Sequence, residues 1–173
     1  DCDAVYHEML DQDEGMRNTI NAVFPGVFDA DGKLNRQKLG QEVFAQKDRL
    51  DKLNDIVYSF VVPEVERRVG HEPGLYAIDA INLLESGMER LCDRTIAVTA
   101  PLEVRVRRIM ARDNIPEQYA RLRVSAQKSD EYYRSKCNYE LNNATDSPEI
   151  FQAETREFIR RLLESIKEEK GRG

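Results

Sequence analysis

The hydrophobic period of this chain changes once, at "GHEPG" (70–74), and that change limits the fold more than any other feature. Before it, Leu50, Leu53, Ile56, Val57, Phe60 and Val61 recur at three- and four-residue spacings, which predicts an amphipathic helix to about Val69. After it, "LYAIDAI" (75–81) and "RTIAVTA" (94–100) are short apolar runs suited to buried parallel strands. Helical patterns follow over 101–112, 116–127 and 129–135, and "YELNN" (139–143) reads as a short last strand. Strand and helix in alternation imply an α/β fold with a parallel sheet flanked by helices.

Local signals bound the remaining elements. Residues 3–10 and 13–23 read as helices, joined by the Pro/Gly/Asp-rich connection 24–36 to a helix that Asn35 caps and that runs to about Phe44. Pro63 is expected to bend or divide the helix around it. Ser147 caps a terminal helix to about Lys167, with Pro148 at its first position. The "DADG" in the connection invites a calcium-loop reading. That reading fails, because Gly32 at the sixth position would start the loop at Val27, which cannot ligate a hard cation. A turn is the expectation there.

The chain carries 173 residues with a formal charge of −6, 40% hydrophobic and 34% charged, as a globular, helix-rich protein would. Its apolar runs are too short to span a bilayer, and the opening "DCDAVYHEML" lacks the basic start and apolar middle of a signal peptide. Cys2, Cys92 and Cys137 show no CxxC spacing, so free thiols and a cytoplasmic location are expected. No sequence feature sets an oligomeric state.

The charge is unevenly spread. Pro101 to Lys136 holds seven Arg and two Lys against five Asp and Glu, a net of about +4. A basic segment within an acidic chain suits a compact anionic ligand better than nucleic acid or a membrane surface. In "VRVRRIMARD" (104–113), Arg105, Arg108 and Arg112 share one helix face, opposite Leu102, Val106, Ile109 and Met110. Guanidinium forks match phosphate oxygens two at a time. Pattern alone leaves two readings: a solvated face paired with residues such as Glu103 and Asp113, or a phosphate clamp.

Ligands of open parallel sheets bind outside the carboxyl ends of the strands. The residues placed there are Asn82, Glu85 and Ser86 after the first strand, the arginine helix after the second, and Asn142 and Asn143 after the third. Asp1 and Asp3 precede the first helix, where a carboxylate serves either as a cap or as a base for a substrate hydroxyl. His7 and His71 stand alone without metal-ligand spacing, and Tyr119, Tyr132 and Tyr133 are expected to pack.

Taken in order, these pieces resemble the dephospho-coenzyme A kinases, a family of P-loop kinases of the nucleoside-monophosphate-kinase type. "DCDAVYHEML" resembles that family's D-x-D segment. "FPGVFDADGKLNRQKLGQEVF" (24–44) is similar to its D-G-x-L-D-R…V-F stretch, and "NLLESGMERLCDRTIAVTAP" (82–101) to its L-L-F-E-S-G…V-V-x-A-P. "RRIMARD", "SAQ" and "CNYELNN" resemble its R-x-x-x-R-D, its lid glutamine and A-D-x-V-I-D-N. The resemblance implies a P-loop NTPase-like three-layer fold forming one kinase domain. Its core would be 1–23, 71–112 and 137–173, with a helical substrate lobe at about 24–70 and a helical lid at about 113–136.

The same resemblance implies phosphoryl transfer from ATP, with Mg2+, to the ribose 3′-hydroxyl of dephospho-coenzyme A. Asp3 would be the base. Arg108 and Arg112 would contact the phosphates, and Asn142 and Asn143 the adenine side. Tyr58 and Glu85 would lie at the substrate. No metal ligand is assigned.

The sequence departs from the family pattern in four places. It holds no GxxxxGK[ST]; the resemblance sets that loop and its strand just before the D-x-D segment, so the first strand and P-loop, roughly thirty residues, are expected to be missing upstream and the 173 residues alone to be inactive. Tyr58-Ser59 stand where the family shows His-Pro, Ile81-Asn82 replace Pro-Leu, and Arg134 is offset by one from a usual lid arginine. Two other readings are another small-molecule or nucleotide kinase of the superfamily and a non-catalytic relative that lost the phosphate loop.

Overall fold

The structure, a computed structural model, describes residues 1–44, 46–70, 73–125 and 127–171. His71 lies outside the described residues. The chain divides into two compact units, Asp1–Asp93 and Arg94–Gly173.

The first unit is helical: α1 (Cys2–Gln12), α2 (Glu14–Val23), α3 (Arg36–Phe44) and α4 (Lys47–Arg68). Helices α1, α2 and α3 all pack on α4. The first three starts have a side-chain cap, whereas Gln46 at the start of α4 makes no side-chain cap bond. Asp1 Oδ1 accepts from Asp3 N at 2.9 Å and Ala4 N at 3.1 Å, and Asp13 Oδ1 from Met16 N at 2.8 Å. Asn35 Oδ1 accepts from Lys38 N at 2.9 Å, as its position predicts. The α4 helix is one element despite Pro63, whose ring is solvent-exposed. Expected either to bend the helix or to divide it, Pro63 does not divide it.

The core of this unit centres on Met16, Ile20, Phe24 and Val27, each 0% exposed. Val61, Val62 and Val65 of α4 meet them. The "DADG" segment is a turn, as expected: Asp29 Oδ1 accepts from Asp31 N (3.0 Å) and Lys33 N (2.8 Å), and Gly32 takes φ +76°. Asp13 both ends α1, where its N–H donates to Met9 O at 2.8 Å, and caps α2. Asp13→Ala is therefore expected to cost about 1 kcal/mol, read as a lowered denaturation midpoint. An unchanged midpoint would mean that packing alone holds the corner.

One expectation fails. Residues 75–80 form neither helix nor strand and pair with no strand among the described residues, and Leu75 and Ile81 are 73% and 71% exposed. Apolar composition favours an extended backbone, but a strand also needs a neighbour to take its N–H and C=O groups. Cys2 N donates to Asp79 O at 2.9 Å, which ties the segment to the start of α1. A 3-10 turn, Met88–Leu91, follows.

The second unit holds the sheet. Strands β1 (Ile96–Thr99) and β2 (Tyr139–Asn142) are parallel, in the register Ile96↔Tyr139 to Thr99↔Asn142. Helices α5 (Leu102–Asp113), α6 (Glu117–Ser125) and α7 (Asp130–Lys136) form the crossover between them, and α8 (Pro148–Gly171) closes the unit. The start of the ladder is pinned by Asn138, whose Oδ1 accepts from Thr95 N at 2.8 Å. A small core of Val106, Ala120 and Val124 joins α5 to α6, with Ile109 and Met110 packed on it. Leu102, expected on that apolar face, is exposed instead.

Candidate active site

In the first unit, α1, α4 and the segment after Asp79 enclose a cavity of about 240 Å³. Helical spacing builds two of its walls. Cys2, Asp3 and Tyr6 share a face of α1, and Asn54, Tyr58 and Val61 share a face of α4. Ala80 to Asn82 supply the third wall, held by the Cys2–Asp79 backbone bond.

Asp3 lies on the cavity wall, and no side-chain hydrogen bond holds its carboxylate among the described residues. The cap of α1 is Asp1, so Asp3 is not needed for that purpose. Tyr58 faces the same cavity, and burial pushes its hydroxyl pKa up. The Glu85 carboxylate adds to that rise, and a hydrogen bond with Asn82 opposes it. Glu85 itself is exposed and does not line the cavity. Tyr6 is likewise raised by burial and drawn down by the Arg36 guanidinium. Sequence reasoning passed over Tyr6 and Asn54. The signal was available: Tyr6 is three residues on from Asp3, and Asn54 four before Tyr58.

In the second unit, the arginines of α5 separate in role. Arg108 Nη1 donates to Asn143 O at 3.2 Å, and Nη2 donates to Asn143 Oδ1 at 3.1 Å and to Thr145 O. Asn143 N in turn donates to Thr99 O at 2.7 Å, so Arg108 ties the loop after β2 to the end of β1. Arg112 is apart from these groups, with its side chain 72% exposed and paired with Asp113 at 2.7 Å. Arg123 shares Asp113, which holds that carboxyl below its usual range together with Arg112, the larger cause. Asn142 ends β2 and is exposed.

Arg105 corrects an expectation. The solvated-face reading does not hold for it: Arg105 is half-buried, 3.3 Å from Asp130, with Nε buried and unpartnered among the described residues. A helix face seen in isolation does not reveal that α7 will bring Asp130 against it. Arg107 is exposed and paired with Asp146, as a solvated charge would be. Arg134 pairs with Glu140, which also accepts from Thr99 Oγ1 at 2.5 Å.

The three cysteines are free thiols. No helix among the described residues is long and apolar enough to cross a membrane. No group of three or more His, Cys, Asp or Glu that could hold a metal ion occurs among the described residues.

Known proteins share this architecture. The family model for dephospho-CoA kinase matches residues 1–149. A dephospho-CoA kinase of Corynebacterium diphtheriae is 28% identical over 171 residues, covering 96% of this chain and 85% of the relative. One of Listeria monocytogenes is 31% identical over 158 residues, covering 88% and 78%. Among solved structures, TT1252 from Thermus thermophilus superposes with a TM-score of 0.73 at 28% identity, over 94% of this chain and 83% of that one. The dephospho-CoA kinase from Campylobacter jejuni, 21% identical, gives a TM-score of 0.53 over 93% and 82%, a likeness of fold. The mixed α/β architecture with its parallel sheet is thus the P-loop NTPase-like fold of these neighbours. With the family model spanning most of its length, the chain belongs to the dephospho-CoA kinase family.

Proposed function

We propose that this protein transfers the γ-phosphoryl group of ATP to the ribose 3′-hydroxyl of dephospho-coenzyme A, the last step of coenzyme A synthesis. The observation that carries the reading is Asp3, a carboxylate on a cavity wall that is not the cap of α1 and takes no side-chain hydrogen bond among the described residues. In the reaction, Asp3 accepts the proton of the 3′-hydroxyl as that oxygen bonds to the γ-phosphorus. The bond to the β–γ bridging oxygen breaks, and ADP leaves. Tyr58, within a substrate lobe of about 24–70, and Glu85, which follows that lobe in the core, are read as sitting on the acceptor side.

Arg108 and Arg112 meet the phosphates from a lid of about 113–136 and its entry. They differ in how they can act. The Arg112 side chain is 72% exposed and Asp113 keeps Arg123 as a second partner, so turning Arg112 from Asp113 to a phosphate costs little. Arg108 has its fork on Asn143 and Thr145, and acts partly by ordering the segment that presents Asn142 and Asn143 to the nucleotide. The residues described do not form a metal cage, so Mg2+ is read as arriving with ATP and no side chain is assigned to it. A GxxxxGK[ST] loop, absent from these 173 residues, would supply the phosphate cradle, and turnover is expected to require it. The free thiols support a cytoplasmic setting.

The test is a turnover assay on the full-length protein with Mg-ATP, following coenzyme A and ADP by chromatography. Dephospho-coenzyme A should be phosphorylated and nucleoside monophosphates should not. Turnover on the monophosphates alone would replace this reading by another kinase activity. No turnover on any acceptor would leave a non-catalytic relative.

A further inference from the structure

Six arginines lie in the first unit, and five have an oxygen to bind. Arg17 donates to the carbonyls of Leu10 and Asp11 at 3.0 and 2.8 Å. Arg49, Arg67, Arg68 and Arg90 pair with Glu42, Glu64, Glu64 and Glu66. Arg36 differs: among the described residues, no carboxylate or carbonyl oxygen accepts from it. Its Nη2 lies 3.4 Å from His7 Nδ1 and 3.5 Å from His7 Nε2. Near-equal distances to both ring nitrogens mean that the guanidinium lies across the imidazole rather than in line with either lone pair. Stacking of this kind fixes the plane of the fork and leaves its remaining donors unused.

The position is as informative as the missing partner. Asp3, Tyr6 and His7 fall at i, i+3 and i+4 on α1, so His7 stands one turn beyond Asp3, about 6 Å along the axis. Tyr6 bridges the two. It lines the cavity, and its ring centroid is 5.2 Å from that of His7. Arg36, held against His7, therefore stands behind Tyr6, next to the cavity lining rather than in it. An acceptor whose 3′-hydroxyl meets Asp3 carries its diphosphate at the other end of the same ribose, a separation comparable to one helical turn.

We infer that Arg36 and His7 form an anion subsite beside Tyr6 that takes the diphosphate of the phosphoryl acceptor. The inference rests on the proposed function for the identity of the ligand, and on the unpartnered fork for the subsite itself. The fork supplies two parallel N–H donors to a phosphate, and a His7 ring N–H can supply another. Both groups act in binding and neither touches the reacting atoms.

The test compares the full-length wild type with Arg36→Ala and Arg36→Lys in steady-state kinetics, with calorimetric binding of dephospho-coenzyme A and of pantetheine, which lacks the diphosphate. Arg36→Ala should raise the KM for dephospho-coenzyme A and weaken its binding about tenfold to a hundredfold. Its kcat, its KM for ATP, its pantetheine binding and its thermal midpoint should stay near wild-type values. Arg36→Lys should recover part of the loss, since a point charge keeps the attraction and loses the fork. Normal turnover with an unchanged KM in Arg36→Ala would overturn the subsite alone, as would an equal rise in the KM for ATP. Failure of the wild type to phosphorylate dephospho-coenzyme A would instead remove the proposed function, and the ligand named here with it.

Discussion

Asp3→Asn is expected to lower turnover of dephospho-coenzyme A by about 10²- to 10⁴-fold, the usual contribution of a positioned general base. The substitution keeps the shape and removes the proton-accepting charge. It should leave the fold intact because the cap of α1 is made by Asp1, which accepts from Asp3 N and Ala4 N. The stability cost is limited to the loss of one negative charge in the first helical turn, a few tenths of a kcal/mol at an exposed site. The KM for ATP should be unchanged, since Asp3 faces the acceptor. Paired measurements of turnover and thermal midpoint decide the matter. Wild-type turnover in a folded Asp3→Asn protein would remove Asp3 from the mechanism.

Phe24→Ala should give the largest loss of stability, about 3–5 kcal/mol, the range for deleting a fully buried aromatic ring. Phe24 is 0% exposed at the end of α2, among Met16, Ile20 and Val27, which are equally buried. It also carries Arg49, whose guanidinium carbon is 5.0 Å from the ring centroid. Truncation leaves a cavity that the ends of α2 and α4 cannot fill without moving, and it removes the surface on which Arg49 lies. The loss is a large fraction of the 5–15 kcal/mol typical of a whole domain. Phe24→Leu should recover most of it. Chemical denaturation followed by far-ultraviolet circular dichroism reads both variants. A loss below about 1 kcal/mol in Phe24→Ala would contradict the packing of this core.

The local elements were legible because their causes lie within a few residues. The spacing of Leu53, Val57 and Val61 marks one face of α4 wherever the helix ends up, and Asn35 caps α3 through an amide three residues on. The order of motifs was legible too, and it leads to the same family as the match over residues 1–149. Asp3 could be singled out only through the resemblance, as the second aspartate of the D-x-D segment.

Other features depend on partners remote in sequence. "LYAIDAI" has a strand's composition, but pairing requires a neighbouring strand, which no local pattern supplies. Arg105, Arg108 and Arg112 form one series in the sequence and three situations in space. Asp130 holds the first, Asn143 and Thr145 the second, and Asp113 the third, more exposed pair. Likewise the spacing that sets Tyr6 and His7 above Asp3 is written into α1, whereas the approach of Arg36, 29 residues later, is not. The helices, most of their caps and the faces they present are thus local properties of the chain, because backbone hydrogen bonding and side-chain period act over one or two turns. Which arginine is bound, and which among the described residues keeps an open fork, follows from the folded arrangement, because it depends on the acceptors other elements bring within 3–4 Å.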